Sequence, residues 1–82
     1  MRLEIIIKGG CIGADEACRL AKYMEEEFPA LTVELIEWGG PRAVPKSVFA
    51  TPTYLLDGAV VFLGNPSQSA LAALVSAQSA VS

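Results

Sequence analysis

Pro52, which stands directly before a run of apolar residues, constrains the fold more than any other residue. Proline has no backbone N–H to donate to a strand ladder, so it is excluded from the interior of a central strand but tolerated at a strand entrance. The bond before it can be held cis in such a tight turn. We therefore expect a strand at Thr53–Leu56, a two-residue turn at Asp57 and Gly58, and an antiparallel partner strand at Ala59–Leu63.

The residues before this hairpin predict a βαβ unit. Residues 3–8 include three successive β-branched residues, Ile5, Ile6 and Ile7, and this run is typical of an interior strand covered on both faces. Residues 12–28 carry apolar side chains at helical spacing, and Pro29 ends that helix because the residue before a proline avoids helical angles. Residues 31–38 largely alternate between apolar and polar, which predicts an edge strand parallel to the first.

A last helix is expected after the hairpin. Asn65 is typical of an N-cap, and Pro66 of the first helical position. The helix would end near Gln78 and bury Leu71 and Val75, among others, within an alanine- and serine-rich body. No repeat or linker appears, so residues 1–82 are predicted to form one domain.

The charge distribution excludes several classes of partner. The six Lys and Arg and nine Asp and Glu residues give a net charge of −3, and none of them forms a basic cluster, which argues against nucleic acid. No apolar run approaches the ~20 residues that cross a bilayer. The first strand begins almost at Met1, so we expect no signal peptide, no membrane segment and a cytoplasmic location.

No formal charge follows Asp57. This neutral C-terminal half is interpreted either as a strand and a small-residue helix packed on the sheet or as a surface for self-association. An uncharged outer strand such as Ala59–Leu63 is open to pairing with another chain unless it is covered. A weak homodimer through this half is therefore a second expectation about partners.

Cys11 follows Gly10 at the start of the first predicted helix. Free backbone N–H groups and the positive helix end stabilise a thiolate there, which lowers the pKa of the thiol from an ordinary value of about 8.5. Asp15 and Glu16 oppose this, because nearby carboxylates disfavour another negative charge. The pattern predicts a modestly activated thiol, and the alternative is an inert buried cysteine.

Together, these features resemble the thioredoxin-like family, in which a threonine-proline turn faces a cysteine at the start of the first helix. The resemblance is carried by Cys11 and by Thr51-Pro52 with the hairpin that follows them. It implies an α/β fold with a four-stranded mixed sheet (order β-α-β, loop, β-β-α) and helices on its faces. It also implies thiol-disulfide exchange by Cys11, with substrate bound at Gly10, Thr51 and Pro52.

The chain departs from the thioredoxin pattern at the resolving position. Thioredoxins carry a second cysteine three residues after the first, where this chain has Ala14. The other cysteine is Cys18, whose Cα would lie about 10 Å from that of Cys11 on a regular helix, beyond the ~7 Å that a disulfide spans. Cys18 is interpreted either as a small packing residue at the edge of the core or as a resolving thiol reached by local unfolding.

The chain is also similar to glutaredoxin-like proteins, some of which work with one cysteine and glutathione. They share the Thr51-Pro52 turn, but they hold glutathione with acidic or polar groups after the hairpin, and residues 64–67 contain no acid. The chain has no histidine, which removes imidazole ligands. We therefore predict no cofactor and no metal site.

Two functions follow from these residues. The first is thiol-disulfide exchange with a protein or small-molecule thiol or disulfide. The alternative is a redox-inactive module that keeps the fold and holds a peptide or thiol ligand at the Thr51-Pro52 edge. The absence of a cysteine at position 14 favours the module, whereas the placement of Cys11 favours exchange.

Overall fold

The computed structural model describes residues 1–10, 12–41, 44, 48 and 50–81. They form a small α/β domain with a four-stranded mixed open sheet and two helices. In chain order the elements are β1 (Arg2–Ile7), α1 (Ala14–Glu27), β2 (Thr32–Glu37), β3 (Thr53–Leu56), β4 (Ala59–Leu63) and α2 (Gln68–Val81). The strand, helix and hairpin predicted from the sequence are each present, and the hairpin strands have the predicted bounds.

Strand β1 lies inside the sheet, as its run of isoleucines predicts. It pairs in parallel with β2 and antiparallel with β3, and β3 pairs antiparallel with β4. The order across the sheet is therefore β2-β1-β3-β4. This differs from the order given with the fold prediction, which followed the chain, because the crossover through α1 takes the chain to one side of β1 and β3 returns on the other side.

The sheet has a different cover on each face. Leu3, Ile5, Tyr54 and Leu56 share one face and belong to a core cluster with residues of both helices. The alternate residues Ile6 and Leu55 belong to a second cluster, formed with residues 36, 44 and 48. Since successive side chains of a strand point to opposite faces, α1 and α2 pack on the same face. The helices expected on the faces of the sheet thus lie on one face among the described residues, and Val44 and Val48, between β2 and β3, contribute to the cluster on the other face.

The helix starts also differ from the prediction. Helix α1 begins at Ala14 after Gly13, an N-cap residue with φ of +95° and no side-chain cap. Helix α2 begins at Gln68, and Ser67 caps one of its first-turn N–H groups, because the Ser67 Oγ accepts a hydrogen bond from the Ala70 N–H at 3.1 Å. Asn65 is therefore not the N-cap, because its side chain is engaged elsewhere.

The two outer strands have different surfaces. Strand β2 carries Glu34, which pairs with Arg2 of β1 at 3.2 Å. Strand β4 has exposed Val60 and Leu63, which retain 38% and 57% of their surface. A β-bulge interrupts the β3–β4 ladder beside Tyr54. No helix within the described part of the chain is long and apolar enough to cross a membrane.

Candidate functional site

The residues predicted to form a site come from one end of the sheet. Strand β1 ends at Ile7 and leads through Gly10, which is exposed and has a φ of +78°. Strand β3 begins beside it, since Thr53 is paired with Ile6. Cys11, the predicted nucleophile, lies outside the described residues, whereas its chain neighbours and the turn before β3 are described.

The turn before β3 is held on two sides. The Thr51–Pro52 peptide bond is cis, and Pro52 is buried while Thr51 is half-buried. The carbonyl of Pro52 accepts a hydrogen bond from the Gly64 N–H at 2.8 Å, which joins the turn to the end of β4. The buried Thr53 hydroxyl donates to the carbonyl of Ala50 at 2.6 Å, which closes the turn on the other side.

The start of α1 lies against this turn. A Cβ placed on Gly13 would lie 3.9 Å from Cδ of Pro52, an ordinary van der Waals distance. It would also lie only 2.8 Å from Nδ2 of Asn65. Glycine at position 13 thus satisfies both the left-handed backbone and the close approach of Asn65. The residue two positions after Cys11 is therefore in contact range of Pro52.

A chain of hydrogen bonds links the start of α1 to the sheet. The hydroxyl of Tyr54, whose side chain is fully buried, donates to Oδ1 of Asn65 at 2.7 Å. Nδ2 of Asn65 donates in turn to the carbonyl of Gly13 at 2.9 Å. Burial, and secondarily the negative charge of Glu16, raise the pKa of the Tyr54 phenol far above its ordinary value, so it remains a donor at neutral pH.

The acidic residues of the first turn of α1 are partly compensated. Glu16 accepts two hydrogen bonds from the guanidinium of Arg19, each 2.7 Å long, and these bonds lower the pKa of the carboxyl and raise that of Arg19. Arg19 also donates to Oε1 of Gln68 at 2.9 Å, which joins α1 to the start of α2. The positive charge held beside Glu16 reduces the repulsion that this carboxylate exerts on a thiolate near the helix start.

Cys18 lies on the exposed side of α1. The interpretation of Cys18 as a packing residue at the edge of the core is therefore wrong: its position on the flank of the apolar stripe turns it toward solvent. Whether it reaches Cys11 stays a prediction, since one of the two sulfurs lies outside the described residues.

A small pocket opens at the same end of the sheet. It has a volume of about 260 Å³ and is lined by Lys8, Trp38 and Gly39, which follow the parallel strands β1 and β2. The backbone N–H of Trp38 donates to the carbonyl of Ile7 at 2.7 Å. Trp38 keeps 37% of its surface exposed. A larger pocket of about 330 Å³ includes Met1 at the opposite end of β1, away from the predicted site.

Among the described residues, no group of three or more His, Cys, Asp or Glu side chains is arranged to hold a metal ion. Comparison of the chain with protein-family models, with curated proteins and with solved structures gave no match in any of the three.

Three contributors to this end of the molecule were missed by the sequence reasoning. The position of Asn65 before a proline is typical of a helix cap and predicts that role alone. The apolar run that contains Tyr54 predicts only a strand, and no motif indicates a role for Arg19. The spacing of Glu16 and Arg19, three residues apart on a helix, was a usable signal for their ion pair. Nothing local in the sequence links Tyr54 or Asn65 to Gly13.

Proposed function

We propose that the chain is a thioredoxin-like protein that exchanges thiols with disulfides through Cys11. The observation that carries the proposal is the approach of the α1 start to the turn before β3, where the position of a Cβ on Gly13 lies 3.9 Å from Cδ of Pro52. Cys11 precedes Gly13 by two residues. The proposal therefore sets the thiol at the positive end of α1 and beside a turn at which an extended ligand can lie.

The chemical step is a nucleophilic displacement at sulfur. The Cys11 thiolate attacks one sulfur of a partner disulfide, a new S–S bond forms to Cys11, and the partner's own S–S bond breaks. The other partner sulfur leaves as a thiolate and takes up a proton from water. The sulfurs change partners, and no further oxidant or reductant is required for this half of the exchange.

Return of Cys11 to the thiol requires a second thiol. A small-molecule thiolate attacks the partner sulfur of the mixed disulfide, forms a new S–S bond to the partner and releases the Cys11 thiolate, which takes up a proton from water. In the alternative route Cys18, which is exposed on α1, attacks the Cys11 sulfur, releases the partner as a thiolate and leaves a Cys11–Cys18 disulfide that an external thiol then reduces. We assign the external thiol the main role, because Ala14 occupies the resolving position of thioredoxins.

The surroundings of Cys11 favour a protein or small-molecule disulfide as substrate. Ile12 keeps 98% of its side-chain surface exposed, which provides an apolar contact for a partner next to the thiol. Gly10 on the other side adds no side chain that would obstruct approach. With Thr51 and Pro52 opposite, these residues form the proposed substrate-binding surface.

The second candidate function is a redox-inactive binding module of the same fold. Ala14 favours it, because a protein without the second cysteine cannot complete the thioredoxin cycle alone. In this case a peptide or thiol ligand occupies the Thr51-Pro52 edge without covalent chemistry. The two functions differ in whether Cys11→Ser removes the activity.

The test measures the alkylation rate of Cys11 against pH in a Cys18→Ser protein, which leaves one thiol to follow. We expect a pKa below the ordinary value of about 8.5, because the helix end stabilises the thiolate. The same protein unfolded in urea supplies the reference value. A folded-state pKa equal to or above the unfolded one would contradict activation.

A turnover assay separates the two functions. Insulin reduction by dithiothreitol should be faster with the native chain and with Cys18→Ser, and Cys11→Ser should remove the acceleration. If the native chain gives no acceleration, exchange is rejected in favour of the module. If the native chain accelerates the reaction and Cys18→Ser does not, then Cys18, and not an external thiol, releases the partner from the mixed disulfide.

A further inference from the structure

We infer that Asn65 is a positioning residue for the thiol of Cys11, acting through the backbone of Gly13. The inference rests on the proposed function of Cys11 and adds to it a residue distant in sequence. Asn65 lies in the loop between β4 and α2, 52 residues from Gly13. Its side chain is half-buried and joins the helix start to the centre of the sheet.

Both polar atoms of the Asn65 side-chain amide form hydrogen bonds that connect the sheet to the start of α1. Oδ1 accepts the Tyr54 hydroxyl, and this bond orients the amide, since Tyr54 is fixed in the core by its strand and by an edge-to-face contact with Phe62 at 6.4 Å between ring centroids. Nδ2 then points to the carbonyl of Gly13. The buried Tyr54 hydroxyl therefore determines which end of the Asn65 amide faces the carbonyl of Gly13.

The carbonyl of Gly13 is the first acceptor of α1. It receives the N–H of Ala17 at 2.9 Å and the Asn65 amide at 2.9 Å. An N-cap with a serine, threonine, aspartate or asparagine side chain would stabilise the helix start locally, but glycine has none. Asn65 replaces that local support from outside the helix. It holds the first-turn N–H groups, which would stabilise a thiolate at Cys11, in one direction.

The site admits few other side chains. A Cβ at position 13 would meet Nδ2 of Asn65 at 2.8 Å, so the amide fills the space that a larger residue 13 would need. Aspartate at position 65 would keep the acceptor for Tyr54 but would set a carboxylate oxygen against the carbonyl of Gly13. Alanine would remove both bonds and leave the Tyr54 hydroxyl buried without this acceptor.

The experiment compares the alkylation of Cys11 against pH in three proteins that all carry Cys18→Ser: the parent, Asn65→Ala and Val75→Ala. Val75 is buried in α2 and contributes to the core that both helices share, so its truncation lowers stability without touching the Gly13 turn. We expect Asn65→Ala to raise the pKa of Cys11 and to slow its alkylation at pH 7 about threefold. Val75→Ala should leave both unchanged while the protein is folded.

Tyr54→Phe provides a second variant, which keeps the ring in the core and removes only the bond that orients Asn65. It should shift the Cys11 pKa in the same direction as Asn65→Ala, by a smaller amount. If the parent has a lowered pKa and neither variant differs from Val75→Ala, the positioning role of Asn65 is rejected and the proposed function survives. A parent pKa equal to that of the urea-unfolded chain would instead reject the proposed function.

Discussion

Replacement of Gly13 by alanine tests the packing at the start of α1. Gly13 has a φ of +95°, a conformation that L-residues with a Cβ rarely adopt, and its Cβ would come within 2.8 Å of the Asn65 amide nitrogen. The substitution therefore strains the backbone and displaces Asn65 at the same time. Pro52 does not oppose it, because the distance to Cδ is an ordinary contact.

The expected size of the effect follows from these two terms. A left-handed alanine costs about 1–2 kcal/mol relative to glycine. Displacement of Asn65 removes the hydrogen-bond partner of the Tyr54 hydroxyl or of the Gly13 carbonyl, which costs about 1–3 kcal/mol. Alanine also restricts the unfolded chain, which offsets about 0.4–1 kcal/mol. We expect the free energy of unfolding to fall by about 2–3 kcal/mol.

Gly39→Ala is the matched control for the backbone term. Gly39 has a φ of +89°, and no atom of the described residues lies within 4 Å of the position of its Cβ. Its substitution should therefore cost about 1 kcal/mol or less. Urea unfolding followed by circular dichroism gives both free energies, and the difference between them measures the contact with Asn65.

A double-mutant cycle completes the test. In an Asn65→Ala background the contact is already lost, so Gly13→Ala should cost no more than Gly39→Ala does. The reasoning would be refuted if Gly13→Ala and Gly39→Ala destabilised the native chain equally. It would also be refuted if the cost of Gly13→Ala were unaffected by removal of the Asn65 side chain.

Further predictions concern ionisation and association. The raised pKa of Tyr54 implies stability that is present below the unfolded-state value of about 10 and lost as the pH rises above it. Urea unfolding at pH 9 and 11 should show a smaller loss in Tyr54→Phe, and an equal loss would oppose this. The lowered pKa of Glu16 implies a contribution lost as the pH falls; NMR titration should find that pKa higher in Arg19→Ala, and no change would contradict the ion pair. Sedimentation at high micromolar concentration should show a weak dimer that Leu63→Lys removes, whereas a monomeric native chain would end the dimer prediction.

The hairpin and the βαβ unit could be predicted because their signals are local. Pro52 marks a strand entrance, Asp57 and Gly58 mark a tight turn, and the predicted hairpin strands have the bounds found in the structure. The edge position of β2 also followed from its alternating pattern. Such signals depend only on residues that are close in sequence, so they can be interpreted without knowledge of the tertiary fold.

The cover of the sheet and the role of Asn65 could not be predicted. Both helices pack on the same face of the sheet, and this follows from the path of the chain across the sheet. The apolar periodicity of α2 does not indicate on which face of the sheet the helix packs. Asn65 before a proline is typical of an N-cap, but its side-chain amide donates instead to the carbonyl of Gly13, 52 residues away. Contacts between segments that are distant in sequence leave no local pattern to recognise.

The central claim is that folding activates Cys11 for disulfide exchange. The most direct measurement reacts the Cys18→Ser protein with a small symmetrical disulfide at pH 7 and follows the mixed disulfide by mass spectrometry, both folded and in urea. The claim predicts a faster rate in the folded protein, with the adduct on Cys11. An equal or slower rate than in the unfolded chain would contradict it.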